Sequence, residues 1–116
     1  PVTLPRNNCA FRFKALLEEH IRTVQRVEEY ASMLRVSRVT LNRAVVEQFG
    51  VTAVHLLKQR LLEAVKNDLL FEGRSVSQLA EAYGFSDPSH LMRFFKQQTG
   101  RTSSAFLEDY RRGAGE

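Results

Sequence analysis

Part of this chain is written twice. Leu41, Arg43, Gln48, Gly50 and Thr52 recur fifty residues later as Leu91, Arg93, Gln98, Gly100 and Thr102, and Val27 and Ala31 recur forty-nine residues later as Val76 and Ala80. The slip of one residue falls in a turn, which absorbs an insertion without disturbing the flanking helices. Each copy also carries helix punctuation. Ser37 stands as N-cap before Arg38, and Gly50 closes that segment. In the second copy Asp87 is the N-cap, Pro88 takes the first helical position where its missing N–H costs nothing, and Gly100 closes. A short helix, a tight turn and a second capped helix make the helix-turn-helix pattern.

The rest of the chain reads as helix too. No proline interrupts Arg6 to Asp87. Phe13, Leu16, Leu17, His20, Ile21 and Val24 fall on one helical face, and Val27, Tyr30, Ala31 and Leu34 repeat that spacing. Thr52 caps a connecting helix of about residues 53–71, with Val54, Leu57, Leu61, Ala64 and Val65 on one side and Gly73 at its end. Ser75 caps Val76 to Tyr83, and a last helix spans roughly Ser103 to Arg112. No alternation of period two survives against these helical readings. The expected fold is all-α, with about seven helices and two helix-turn-helix units joined by a long connecting helix. The boundaries expected are an N-terminal extension over 1–10, a domain over 11–112 with units at about 26–50 and 76–100, and a frayed tail over 113–116.

Composition narrows the function classes. The 116 residues carry 17 Lys and Arg against 13 Asp and Glu, a net charge of +4 that suits an anionic partner. With 43% hydrophobic and 26% charged residues the chain is globular. One cysteine, Cys9, makes no internal disulfide, and no apolar run reaches the roughly 18–20 residues of a membrane span. Pro1 to Pro5 lack the blocks of a signal peptide, so a cytoplasmic setting is expected. An opening Pro1 in place of Met is what a piece of a longer protein would show. Cys9, His20, His55 and His90 lack the close spacing of a metal site, and no phosphate-binding glycine loop or serine-nucleophile motif is present. Glu18-Glu19 and Glu28-Glu29 are adjacent pairs, whose side chains point apart on a helix. Neither catalysis nor a cofactor is expected.

The repeated arginines carry the functional signal. Arg43 and Arg93 each lie two residues after a repeated leucine, about 200° around the helix, so they face outward where the leucines face the core. A core explains repeated leucines and alanines, but not an arginine at the same outward position of both copies. Arginine grips guanine O6 and N7 with two hydrogen bonds, asparagine pairs with adenine, and valine or threonine touches a thymine methyl. Val39, Thr40 and Asn42 share the outward face with Arg43, and Ser89, His90 and Met92 share it with Arg93. The expected base contacts are therefore Val39, Thr40, Asn42, Arg43, Ser89, His90 and Arg93, with plain solvent exposure an equal reading for His90. Phosphate contacts are expected from Ser37, Arg38, Lys96, Arg101 and Thr102. The rival is a helical protein-interaction domain using the same basic faces. RNA is disfavoured, because its A-form major groove is too narrow for such helices.

The stretch from Gly84-Phe85-Ser86-Asp87-Pro88-Ser89-His90-Leu91-Met92-Arg93-Phe94-Phe95-Lys96 to Thr99-Gly100 resembles the second helix-turn-helix of AraC/XylS-type transcription regulators. Tyr30-Ala31, Val36-Ser37, Leu41-Asn42-Arg43 and Gly50 are similar to the first, and Arg60-Leu61 and Glu63-Ala64 to the helix between them. The resemblance covers about Phe11 to Tyr110. It implies a DNA-binding domain at the C-terminus of a longer regulator. The implied partners are double-stranded DNA, RNA polymerase and, through a sensor domain outside this chain, a small-molecule effector. The sequence departs from the family pattern at Arg35, where a turn glycine is usual, and at Val45-Val46, where Phe95-Lys96 keeps an aromatic-basic pair. It departs again at Ala53 and Ser103, where proline is usual, and at Leu107, where arginine is. A connecting helix of about 19 residues spans roughly 28 Å, against about 34 Å between successive major grooves on one face of DNA.

Overall fold

A computed structural model describes residues 5–114. Among them are seven α-helices and no strand. They are α1 (Pro5–His20), α2 (Val27–Leu34), α3 (Arg38–Phe49), α4 (Ala53–Asn67), α5 (Val76–Ala82), α6 (Pro88–Thr99) and α7 (Ser103–Ala114). The chain divides into two compact bodies, Pro1–Leu61 and Leu62–Glu116, each holding one helix-turn-helix. The boundary falls within α4.

In the N-terminal body α1 packs on α2 and α3. Phe13, Leu17, Ile21, Val27, Tyr30, Ala31, Leu34, Leu41, Ala44 and Val45 form its buried core. Phe13 meets Tyr30 edge-on, with ring centroids 5.5 Å apart. The Tyr30 hydroxyl donates to the Val24 carbonyl at 2.7 Å. Burial, then the neighbouring Glu29 charge, pushes the Tyr30 phenol up to about 12. The folded chain therefore holds this proton where the unfolded chain releases it. Stability from Tyr30 is complete below pH about 10 and lost as pH rises toward 12. Urea titrations at pH 9 and pH 11 are expected to show the drop, and Tyr30→Phe is expected to flatten that part of it.

Two expectations change here. The segment expected as an extension over 1–10 is helical from Pro5, and Cys9 and Ala10 are buried in the core. Residues 1–4 lie outside the described residues. At the other end of α1, Val24 lies beyond the helix that its spacing suggested. The His20 carbonyl accepts from the Thr23 and Val24 N–H groups at 2.9 and 2.7 Å, and the Gln25 side-chain amide donates to the Ile21 carbonyl at 2.7 Å, so acceptors at the helix end are satisfied.

The C-terminal body is built on Leu79, Ala80, Tyr83, Leu91, Phe94 and Phe95, with Phe106 against Phe95 at 5.5 Å. The expected connecting helix is α-helical only to Asn67. Asp68–Glu72 widens into a π-helical turn, which ends at Gly73 with φ 68°. Asp68 is fully buried, and its Oδ2 accepts from the Tyr83 hydroxyl at 2.7 Å. The tail expected to fray is helical through Ala114, and residues 115–116 lie outside the described residues.

The caps stand where the sequence put them. Ser37 Oγ accepts from the Thr40 N–H, Asp87 Oδ1 from the His90 N–H, and Ser75 and Gln78 complete a capping box. Gly50 and Gly100 close α3 and α6 at φ 76° and 77°. The two interhelical turns share one geometry. The Val36 N–H donates to the Ala31 carbonyl, and the Phe85 N–H to the Ala80 carbonyl. This geometry needs a left-handed residue, which is Gly84 in one turn and Arg35, at φ 60°, in the other. A side chain there is strained by about 1 kcal/mol. Arg35→Gly is therefore expected to raise unfolding free energy by about that amount in urea. A loss would mean that the Arg35 side chain contributes more than its backbone strain costs.

Candidate nucleic-acid interface

Helices α3 and α6 carry the outward residues. Leu41 and Leu91 are fully buried, and Arg43 and Arg93 are exposed on the opposite side. Neither guanidinium makes an ion pair among the described residues. Each borders a groove between its own helix and the start of the next. In the N-terminal body the groove is about 470 Å³ and is lined by Val27, Arg38, Val39, Asn42, Arg43, Thr52, Ala53 and Val54. In the C-terminal body it is about 270 Å³, lined by Met92, Arg93, Lys96, Thr102, Ser103 and Ser104. Five of these positions correspond at the fifty-residue offset: 42 and 92, 43 and 93, 52 and 102, 53 and 103, 54 and 104. The sequence repeat is thus also a repeat of surface.

Around Arg43, Val39 is 63% exposed and Thr40 is exposed. The Thr40 hydroxyl accepts from Ser37 Oγ at 3.0 Å. Val54, expected on the buried side of α4, is exposed in this groove. Asn42 departs from expectation. It is half buried, and its Oδ1 accepts the Ala53 N–H at 3.0 Å, so its amide is turned to α4 and not outward.

Around Arg93, Ser89 and His90 are exposed. The His90 ring is fixed in place. Its Nδ1 accepts from the Ser86 N–H at 3.3 Å and lies 3.2 Å from the Ser86 hydroxyl, while Phe85 meets the ring edge-on at 5.0 Å. That arrangement leaves Nε2–H as the ring's remaining donor. Met92 is half buried, and its sulfur accepts from the Ser103 hydroxyl at 3.1 Å.

The residues expected at phosphates differ in availability. Lys96 is exposed and makes no ion pair among the described residues. Arg38 pairs with Glu28 at 2.5 Å. The Glu28 carboxyl is held below the ordinary range, first by its own backbone N–H and then by Arg38. Arg101 pairs with Asp109 and donates to the Ala105 carbonyl. Ser37 and Thr102 spend their hydroxyls as caps, Thr102 accepting the Ala105 N–H at 3.1 Å. Sequence reading missed both cross-helix contacts, Asn42 with Ala53 and Ser103 with Met92. The available signal was polar or N–H-bearing residues at the two positions where proline is usual.

The matching family is the helix-turn-helix domain, over residues 30–109. The chain belongs to this family, in the form found in AraC-type transcription regulators. It is 36% identical over 78 residues to the HTH-type transcriptional regulator RipA of Corynebacterium diphtheriae, covering 67% of this chain but 23% of that protein. The fold is similar to the C-terminal domain of AraT, a response regulator from Geobacillus stearothermophilus, with a TM-score of 0.77 and 22% identity over 87% of this chain and 84% of that one. It is also similar to a DNA-binding transcriptional dual regulator from Escherichia coli K-12, with a TM-score of 0.72 and 17% identity over 97% of both chains. Among the described residues, no helix is long and apolar enough to cross a membrane, and no three His, Cys, Asp or Glu side chains gather as for a metal ion.

Proposed function

We propose that the chain binds double-stranded DNA sequence-specifically, with α3 and α6 as reading helices in the major groove. The observation that carries this reading is the pair of repeated, exposed arginines without ion pairs among the described residues, each beside an equivalent groove. A guanidinium on a helix face opposite the core meets the two acceptors of guanine in one plane. Val39, Thr40 and Arg43 are the base-reading residues of the first unit, and Ser89, His90 and Arg93 those of the second. The exposed Val39 suits a thymine methyl, and His90 Nε2–H suits a base or phosphate acceptor.

Phosphates are held by Lys96, Arg38 and Arg101. The ion pairs of Arg38 and Arg101 lie at the surface, where such pairs contribute about 0–1 kcal/mol, so a phosphate oxygen competes with Glu28 and Asp109 on near-equal terms. Ser37 and Thr102 lie at helix starts, where backbone N–H groups and the helix dipole favour an anion.

Selection from a random duplex pool followed by a salt titration tests this reading. The expected result is one enriched asymmetric sequence, because the two reading faces differ. With three cations on phosphates, the slope of log affinity against log salt is expected near about −3. No enrichment, with affinity flat in salt, would favour the protein-interaction reading.

A further inference from the structure

Asn42 precedes Arg43 on α3, yet its amide is committed elsewhere. Oδ1 accepts the N–H of Ala53, the first residue of α4. A first-turn N–H has no partner within its own helix. The Thr52 hydroxyl is engaged elsewhere, accepting from the His55 N–H at 3.2 Å. Ala53 is 1% exposed, so its N–H has little access to water. In the C-terminal body the same two positions are tied again, by the Ser103 hydroxyl donating to Met92 Sδ. In both bodies the helix bearing the outward arginine supplies the acceptor, and the start of the next helix supplies the donor.

We propose that Asn42 is a positioning residue. It holds α3 against the start of α4, sets where Arg43 stands beside the groove, and does not read a base. This rests on the DNA-binding reading above. Pairing with adenine uses both the oxygen and the nitrogen of an asparagine amide. Turning Oδ1 outward would orphan a buried N–H, a penalty of the same order as the discrimination an adenine contact supplies.

The test compares Asn42→Ala, Arg43→Ala, the double variant, and Asn42→Ala combined with Ala53→Pro. Each is measured on the selected duplex, its single-base variants and unrelated DNA, and amide exchange of Ala53 is followed by NMR in the unmodified chain and in the variants that keep Ala53. Proline at the first helical position has no N–H to orphan, and removing the Asn42 amide leaves room for its ring.

In Asn42→Ala, Ala53 exchange is expected to speed up about tenfold or more, and affinity for the selected duplex to fall about threefold to tenfold. Preference is expected to weaken at the same base pair that Arg43→Ala affects, with no further change in the double variant. Adding Ala53→Pro is expected to bring affinity back to within about twofold of the unmodified chain. Weakened preference at a different base pair, or a proline that restores nothing, overturns the proposal. An unmodified chain that binds no duplex sinks the DNA-binding reading instead. Ala53 exchange then still judges the tie between α3 and α4, and unchanged exchange in Asn42→Ala overturns it.

Discussion

Leu91→Ala is expected to destabilise the chain by about 2–5 kcal/mol. Leu91 is fully buried in α6, among residues of the core that Leu79, Tyr83 and Phe95 also form. Truncation removes apolar surface that was hidden from water and leaves a cavity that rigid helix packing closes only partly. Domains of this size hold only about 5–15 kcal/mol in total, so the loss is a large share. Leu41, fully buried at the equivalent position of α3, should respond in the same range. Urea unfolding followed by circular dichroism measures both. A change below about 0.5 kcal/mol at Leu91 would place this side chain outside the core and reverse the faces of α6.

Arg93→Ala is expected to lower affinity for the selected duplex by about 1–3 kcal/mol and to relax preference at about one base pair. Lys96→Ala is expected to weaken all duplexes nearly equally and to shrink the salt slope by about one unit. Both side chains are exposed cations lining the same groove of the C-terminal body. Net charge treats them alike, and their positions separate them. Arg93 lies in the N-terminal half of α6, the part of a reading helix that approaches base edges. Its planar fork matches two acceptors at once. Lys96 lies almost a turn further on, and a flexible ammonium suits a phosphate oxygen. Affinities on the selected site, its single-base variants and unrelated DNA across a salt series separate the roles. If Arg93→Ala weakens specific and unrelated duplexes by one factor, Arg93 is a backbone contact.

Much of the fold was legible because its determinants are local. A cap acts over three residues, as Ser37 does on Thr40 and Asp87 on His90. A closing glycine acts on its own backbone, and helical spacing sorts Leu41 from Arg43 within one turn. The repeat then supplied what local rules lack, since two copies sharing an outward arginine separate surface from core. Much of the candidate face was legible in the same way: Arg43, Arg93, Val39, Thr40, Ser89 and His90 lie on the exposed side that helical spacing assigned, whereas Asn42 and Met92, assigned to that side too, are half buried.

What the sequence determined by itself is therefore the order of the helices, the capped starts at Ser37, Ser75 and Asp87, the closing glycines Gly50 and Gly100, the two helix-turn-helix units and the outward side of α3 and α6 that carries Arg43 and Arg93. All of these follow from interactions between residues a few positions apart. The tertiary structure alone decided which polar side chains are spent between separate helices. Asn42 and Ala53 are eleven residues apart and meet only because the turn at Gly50 brings α4 back to α3. Asp68 reads as another polar residue in a helix, and becomes a buried acceptor only once Tyr83 is packed over it. Arg38 with Glu28, and Arg101 with Asp109, are paired by the packing of separate turns and not by spacing along one helix. A hydrogen bond or ion pair needs its two partners within about 3–4 Å, and across a turn only the folded backbone sets that distance.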